Sequence, residues 1–176
     1  MILTGLEIEK QVKSGRIHIS PYIRENINPN SYNYRLAPII YELQNGVIDS
    51  KQKTSFKRIE IPKEGLVLVP NKLYLGSTVE EIGSDYYVTQ LIGRSSVGRL
   101  GLFLQITAPL GHLGAKHCWT LELTTVQPLK VYAYMKIGQV SFWEVQGETS
   151  LYNGLYHKYN EPHISEFYNK LALEVV

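Results

Sequence analysis

The sequence predicts a mainly β domain, a sandwich or barrel of short strands entered through one short helix. Three observations carry this expectation. From residue 57 onward, short stretches rich in Val, Ile, Leu, Thr and Tyr follow one another. Gly, Pro or Asn breaks them at close spacing, as turns between packed strands require. The first residues differ, because they carry the start and stop signals of a helix.

That helix is expected over residues 3–15. Thr4 and Glu7 fit a Ser/Thr-x-x-Glu box, in which each side chain satisfies a backbone N–H left open at the helix start. Leu3 and Ile8 hold the staple positions, and Gly15 supplies a C-terminal stop. Residues 20–34, SPYIRENINPNSYNY, are dense in Pro, Asn and Ser and read as loop and turn. Strands are expected at 57–61, 65–70, 72–79, 86–92, 102–108, 118–125, 129–134 and 138–146. Residues 147–176 depart from this pattern: Tyr152, Tyr156, Tyr159 and Tyr168 stand among polar residues before an apolar end, LALEVV. Such a tail suits closure over a site or onto a neighbouring subunit, and it also suits a surface-packed extension. No internal repeat, low-complexity tract or linker divides the chain, so 1–176 reads as a single domain.

Composition narrows the function classes. Of 176 residues, 44% are hydrophobic and 19% charged, the profile of a globular protein with its own core. Eighteen basic against 16 acidic residues give a net charge of +2, which offers no bulk attraction for nucleic acid. Cys118 has no cysteine to pair with inside the chain, which favours a reducing compartment. The start MILTGLEIEK lacks the pattern of a signal peptide, and no apolar run approaches the ~20 residues of a membrane span. A soluble, cytoplasmic protein with neither nucleic acid nor membrane as partner is expected.

Chemistry concentrates between Leu91 and Thr124. Gly93-Arg94-Ser95-Ser96 follows an expected strand and gathers two hydroxyls, an arginine and several N–H groups, which suits an anion. A short helix starting near Val97 would add a favourable field for phosphate, and Arg94 and Arg99 would add charge-assisted bonds. The same residues also suit a capped turn with two surface arginines. Further on, period-2 alternation in WTLELT puts Leu121 and Leu123 on one face and Thr120, Glu122 and Thr124 on the other. Glu122 is then either a solvated outward residue or a carboxylate in a pocket, where desolvation would make it a usable general base.

The run Gly93-Arg94-Ser95-Ser96-Val97-Gly98-Arg99-Leu100-Gly101-Leu102 closely resembles the GRSSxxRLGL signature of the dCTP deaminases, whose fold is shared with the trimeric dUTPases. Thr107-Ala108, followed at the family's spacing by Glu122 in TLEL, matches further. So do Lys136-Ile137-Gly138-Gln139-Val140-Ser141-Phe142 and the opening MILTGLEIEKQVKSGRIHISPY. The resemblance implies a distorted β-barrel or jelly-roll-like, dUTPase-like fold and a homotrimer with sites at subunit interfaces. It places the catalytic set on Ser95, Arg99, Ala108 and Glu122. Glu122 would take a proton from water attacking C4 of cytosine, and the other three would position the reactants and stabilise charge. Arg94, Ser96, Gln139, Tyr152, Lys158, Thr120 and Leu121 would bind the nucleotide and its phosphates. Mg²⁺ would accompany the triphosphate. Zinc is not expected, because the zinc deaminases need an H-x-E…P-C-x-x-C set and adjacent His117 and Cys118 would point to opposite faces of a strand.

Three departures from the family pattern matter. Its I-D-x-G-[FW]-x-G segment meets the sugar, yet His112 stands for the Asp, Ala115 for the aromatic and His117 for the last glycine. A neutral His offers one donor and one acceptor where Asp accepts only, and Ala115 leaves room. In the tail, Lys158-Tyr159 echo the family's KYxxQ, but Pro162 takes the glutamine position. Asn33 replaces an Asp that would pair with an arginine. These differences order the readings. Hydrolytic deamination of dCTP or a related cytosine nucleotide comes first. Pyrophosphate release of the dUTPase type, alone or coupled to deamination with dUMP as product, comes second because it relies on the missing Asp. A non-catalytic nucleotide-binding module comes third.

Overall fold

The computed structural model describes residues 1–169 apart from 45, 105, 106, 155, 157 and 158. Helix α1 spans Gly5–Lys13. Thr4 Oγ1 accepts the Glu7 N–H at 3.3 Å, while the Glu7 carboxylate turns along the helix to Gln11 Nε2 at 2.5 Å. Ser14 caps the end and Gly15 follows at φ +75°, the left-handed turn that glycine adopts at no steric cost. Leu3 and Ile8 are both buried in the core, which pins the helix to the sheets.

The strands are β1 (His18–Ser20), β2 (Ile27–Asn28), β3 (Ser31–Arg35), β4 (Ile39–Leu43), β5 (Phe56–Glu60), β6 (Leu66–Leu68) and β7 (Tyr74–Gly83). They continue as β8 (Tyr87–Gly93), β9 (Leu102–Leu104), β10 (Leu110–Gly111), β11 (Lys116–Thr125), β12 (Leu129–Val131) and β13 (Lys136–Glu144). One sheet runs β5-β4-β7-β11-β9, with β1 also on β7; a second runs β10-β8-β13-β3-β2; β6 and β12 form a ribbon. All pairings are antiparallel. Tyr32, Tyr34, Leu91, Val140 and Phe142 from the second sheet meet Ile40, Ile82, Leu121 and Leu123 from the first in one buried cluster. The architecture is mainly β with few helices, as expected.

Residues 20–34 correct the sequence reading. They hold a 3-10 turn at Arg24–Asn26 and the strands β2 and β3, not loop alone. Tyr32 and Tyr34 alternate into the core, both at 0% exposure, so the apolar period is two phenol rings among Asn and Ser. On the opposite face, Asn33 donates to Asn26 O (3.1 Å) and Asn28 Oδ1 (3.0 Å), and Ser31 donates to Gln139 Oε1 (2.7 Å). Polar composition mimicked a loop because its polar groups bond one another inside the fold. Asn33 thus lies apart from any arginine pairing. Arg35 instead binds fully buried Glu80, through Nε at 2.7 Å and its backbone N–H at 2.9 Å. Strand β4 was also missed, since IIYEL after Pro38 is too short and mixed to show a period.

Candidate active site

Strand β11 is the frame of the site. It lies between β7 and β9, with Leu121 opposite Gly76, Glu122 opposite Leu75 and Leu123 opposite Tyr74. Leu121 and Leu123 are fully buried in the core. Their neighbours Thr120, Glu122 and Thr124 face the other way and line a cavity of about 930 Å³. Glu122 is half-buried there, and burial pushes its carboxyl upward from the ordinary glutamate value. A carboxylate that resists losing its proton is correspondingly readier to take one from water near neutral pH.

The loop before β11 supplies another wall. Thr107 and Ala108 reach the cavity, followed by His112 and buried Ala115. Gly114 sits at φ +85°, and a Cβ there would press on the Leu151 Cβ at 2.9 Å and Tyr152 N at 3.1 Å. The tail can therefore cross close over this turn. Tyr152 donates its N–H to Leu113 O (2.7 Å) and stacks on His112 at 5.4 Å. Beyond it, Tyr156, Tyr159 and His163 also line the cavity. His163 donates its N–H to Thr120 Oγ1 at 3.1 Å and stacks on Tyr159 at 3.6 Å. Glu161 accepts from Arg58 (3.1 Å) and from the Tyr41 hydroxyl (3.2 Å). Lys158 lies outside the described residues.

A register shift in β11 between Cys118 and Thr120 interrupts strict alternation. Both His117 and Cys118 touch the cavity, where alternation alone would have separated them, although the two pair in regular register with Ile82 and Glu81. The His117 ring packs on Trp119 at 4.3 Å. Burial pushes the Cys118 thiol up to about 11, so it stays protonated and is a poor metal ligand. Among the described residues, no group of three or more His, Cys, Asp or Glu is placed to hold a metal. No described helix is long and apolar enough to cross a membrane.

The remaining expected site residues gather elsewhere. Helix α2 spans Ser95–Gly98, starting two residues before Val97, so both serines lie inside it. Ser95, Ser96 and Arg99 are exposed, and Arg94 Nη1 donates to Lys136 O at 3.2 Å. Gly93 pairs with Gly138 across β8 and β13. Next to it, Gln139 donates to Gly93 O (3.3 Å) while accepting from Ser31. Arg94, Ser95, Ser96, Arg99 and Gln139 thus form a second patch that does not line the Glu122 cavity. Leu121 is fully buried in the core and does not line the cavity. The sequence reading missed Trp119, His163 and the leucines Leu43, Leu73 and Leu75 of the cavity wall. Trp119 and the leucines read as ordinary core, and His163 follows Pro162 in a tail without period.

Comparison with known proteins places the chain in a family. A family model described as dCTP deaminase-like matches residues 2–145. A Hathewaya histolytica protein named "dCTP deaminase, dUMP-forming" is 45% identical over 152 residues, 86% of this chain and 88% of the relative. A Clostridium beijerinckii protein of the same name is 46% identical over 153 residues, covering 87% and 88%. The crystal structure of 2′-deoxycytidine 5′-triphosphate deaminase from Agrobacterium tumefaciens matches with a TM-score of 0.64 at 17% identity. That match covers 80% of this chain but 47% of the other, so this chain spans about half of it and the likeness speaks to fold. On the family model and the curated relatives together, the chain belongs to the dCTP deaminase-like family.

Proposed function

We propose that this chain hydrolytically deaminates dCTP, with Glu122 as the group that activates water. The observation that carries the reading is a half-buried carboxyl, raised by desolvation, in a cavity large enough for a nucleotide. Glu122 takes a proton from a water whose oxygen bonds to C4, and the ring electrons move to N3, which is protonated. The C4–N bond then breaks, ammonia leaves with a returned proton, and a carbonyl remains at C4. Ala108 borders the same cavity and offers its backbone to the base. Ser95 and Arg99 supply hydrogen bonds to developing charge, and Arg94, Ser96 and Gln139 hold phosphate.

This division requires a second copy. Ser95, Ser96 and Arg99 are exposed and lie outside their own chain's Glu122 cavity. A homotrimer in which the α2 patch of one protomer completes the cavity of the next satisfies both halves. The tail carrying Tyr152 and His163 closes over the bound nucleotide. Mg²⁺ finds no carboxylate cage among the described residues, so it would rest on the triphosphate oxygens and water, neutralising charge.

A second reading, deamination coupled to pyrophosphate release, is favoured by the name "dUMP-forming" on the relatives. His112 opposes it, standing where the family's water-orienting Asp would be. Incubation with dCTP, CTP, dCMP and dUTP, reading ammonia and pyrophosphate, separates the two. Ammonia alone supports the first reading, and ammonia with pyrophosphate from dCTP supports the second. Binding without either product removes the enzyme.

A further inference from the structure

Along β11 the cavity changes character at Glu122. Towards the start of the strand its wall is Ala115, His117, Trp119 and Thr120. From Glu122 onward the neighbouring strands make it mostly aliphatic, with the threonines Thr124 and Thr54 at its border. Leu75 is the cross-strand partner of Glu122, which puts the two side chains on one face. Leu73 follows at the level of Thr124, and the Leu43 N–H donates to Leu73 O at 3.2 Å, which brings β4 into the same wall. Ile48 completes it. Leu73 is 40% exposed and Ile48 55%, although both border the cavity. Leu75 is buried yet lies outside the cluster that forms the main core.

We propose that this aliphatic end receives a small apolar substituent at C5 of the cytosine ring, so that the substrate class includes 5-methylcytosine nucleotides. The inference rests on the deaminase reading above. A carboxylate that activates water for attack at C4 lies within hydrogen-bond reach of that water, so C4 sits close to Glu122. The two ring atoms bonded to C4 are N3 and C5. N3 gains a proton in the reaction, and burying it against leucines would leave a polar group without a partner. N3 therefore faces Thr120, and the C5 edge faces Leu75, Leu73 and Leu43, where Thr124 and Thr54 add two hydroxyls. A hydrogen at C5 leaves apolar wall uncovered, and a methyl covers it. The step itself is unchanged: the water oxygen bonds to C4, the C4–N bond breaks, ammonia leaves with the transferred proton, and a thymine nucleotide results with its methyl untouched.

Steady-state kinetics with dCTP and 5-methyl-dCTP on the full chain, reading ammonia, test this. The expected kcat/KM for 5-methyl-dCTP is equal to that for dCTP or up to about fourfold higher, the gain from burying one methyl. Leu73→Phe fills the aliphatic end and lowers the ratio of 5-methyl-dCTP to dCTP by about fivefold or more. Leu43→Phe reads the same wall should Leu73→Phe misfold. A 5-methyl-dCTP efficiency below that of dCTP overturns the inference and leaves the deaminase reading standing, as does a ratio that both substitutions leave unchanged. If neither nucleotide releases ammonia, the deaminase reading itself falls and takes this inference with it.

Discussion

Mixing two inactive variants tests whether one site is built from two chains. Glu122→Gln removes the base and keeps the shape of the carboxyl, so the cavity wall survives. Arg99→Ala removes an exposed side chain outside that cavity, so its fold survives too. Each variant alone is expected to lose activity by about 10²-fold or more. In a trimer re-formed from equal parts of the two, a site works when its cavity comes from an Arg99→Ala chain and its α2 patch from a Glu122→Gln chain. Random assembly gives each condition a chance of about one half, so roughly one quarter of the wild-type activity returns. The assay is ammonia release after co-refolding or long exchange, with light scattering to verify the trimer. If Glu122 and Arg99 of the same chain served one site, no mixed trimer would hold an intact pair. Activity staying at the sum of the parents, in a mixture proven to exchange, refutes the interface reasoning. A monomer near 20 kDa in scattering refutes it more directly.

Four further outcomes follow from particular groups. Because burial raises the Glu122 carboxyl, kcat/KM should climb with pH through a midpoint higher than that of an unburied glutamate; a midpoint at or below that of an unburied glutamate removes Glu122 as the base. The same raised value means the folded state binds this proton more tightly than the unfolded one, so stability drains as pH rises through the window between the two. Glu122→Gln should therefore melt no lower than wild type at pH 7, with any advantage fading in acid. Tyr152→Ala removes the stack on His112, worth about 0.5–1.5 kcal/mol, and should raise KM by about 2- to 10-fold with a smaller change in kcat. Glu80→Ala leaves the Arg35 guanidinium without its buried partner and should cost about 3–5 kcal/mol in urea unfolding; a cost below 1 kcal/mol would mean water replaces the carboxylate.

Much of the fold was legible because its strands obey period 2 and its turns carry Gly and Pro. The expected 118–125 appears as Lys116–Thr125, 86–92 as Tyr87–Gly93, and 129–134 as Leu129–Val131. What failed was β3. Its buried face is made of tyrosines, and its other face is polar yet also covered, by Asn26, Asn28 and Gln139. A strand buried on both faces with polar groups bonding one another carries no amphipathic signal, so composition pointed to loop. The helix shows the reverse case. Local capping at Thr4 and a left-handed stop at Gly15 need no tertiary context, and both read correctly from the sequence.

The site was legible in a different sense. Alternation alone separated Leu121 and Leu123 from Thr120, Glu122 and Thr124, and the structure sends the two sets to the core and to the cavity. Alternation could not say that Glu122 meets a cavity instead of bulk water, because that depends on β4, β7 and the tail, all distant in sequence. Nor could it show that the Gly93–Arg99 turn lies on a separate patch. Two conserved-looking motifs close in sequence suggest one contiguous site; β9 and the loop after it intervene, and the second sheet carries one motif while the first carries the other. Under the proposed function, the motifs cooperate on one nucleotide when a second chain supplies what the first holds apart. The exposure of Ser95, Ser96 and Arg99 is then no loose end. On the proposed mechanism it ties the chemistry of Glu122 to assembly, and a solitary chain is then expected to bind and turn over nucleotide poorly.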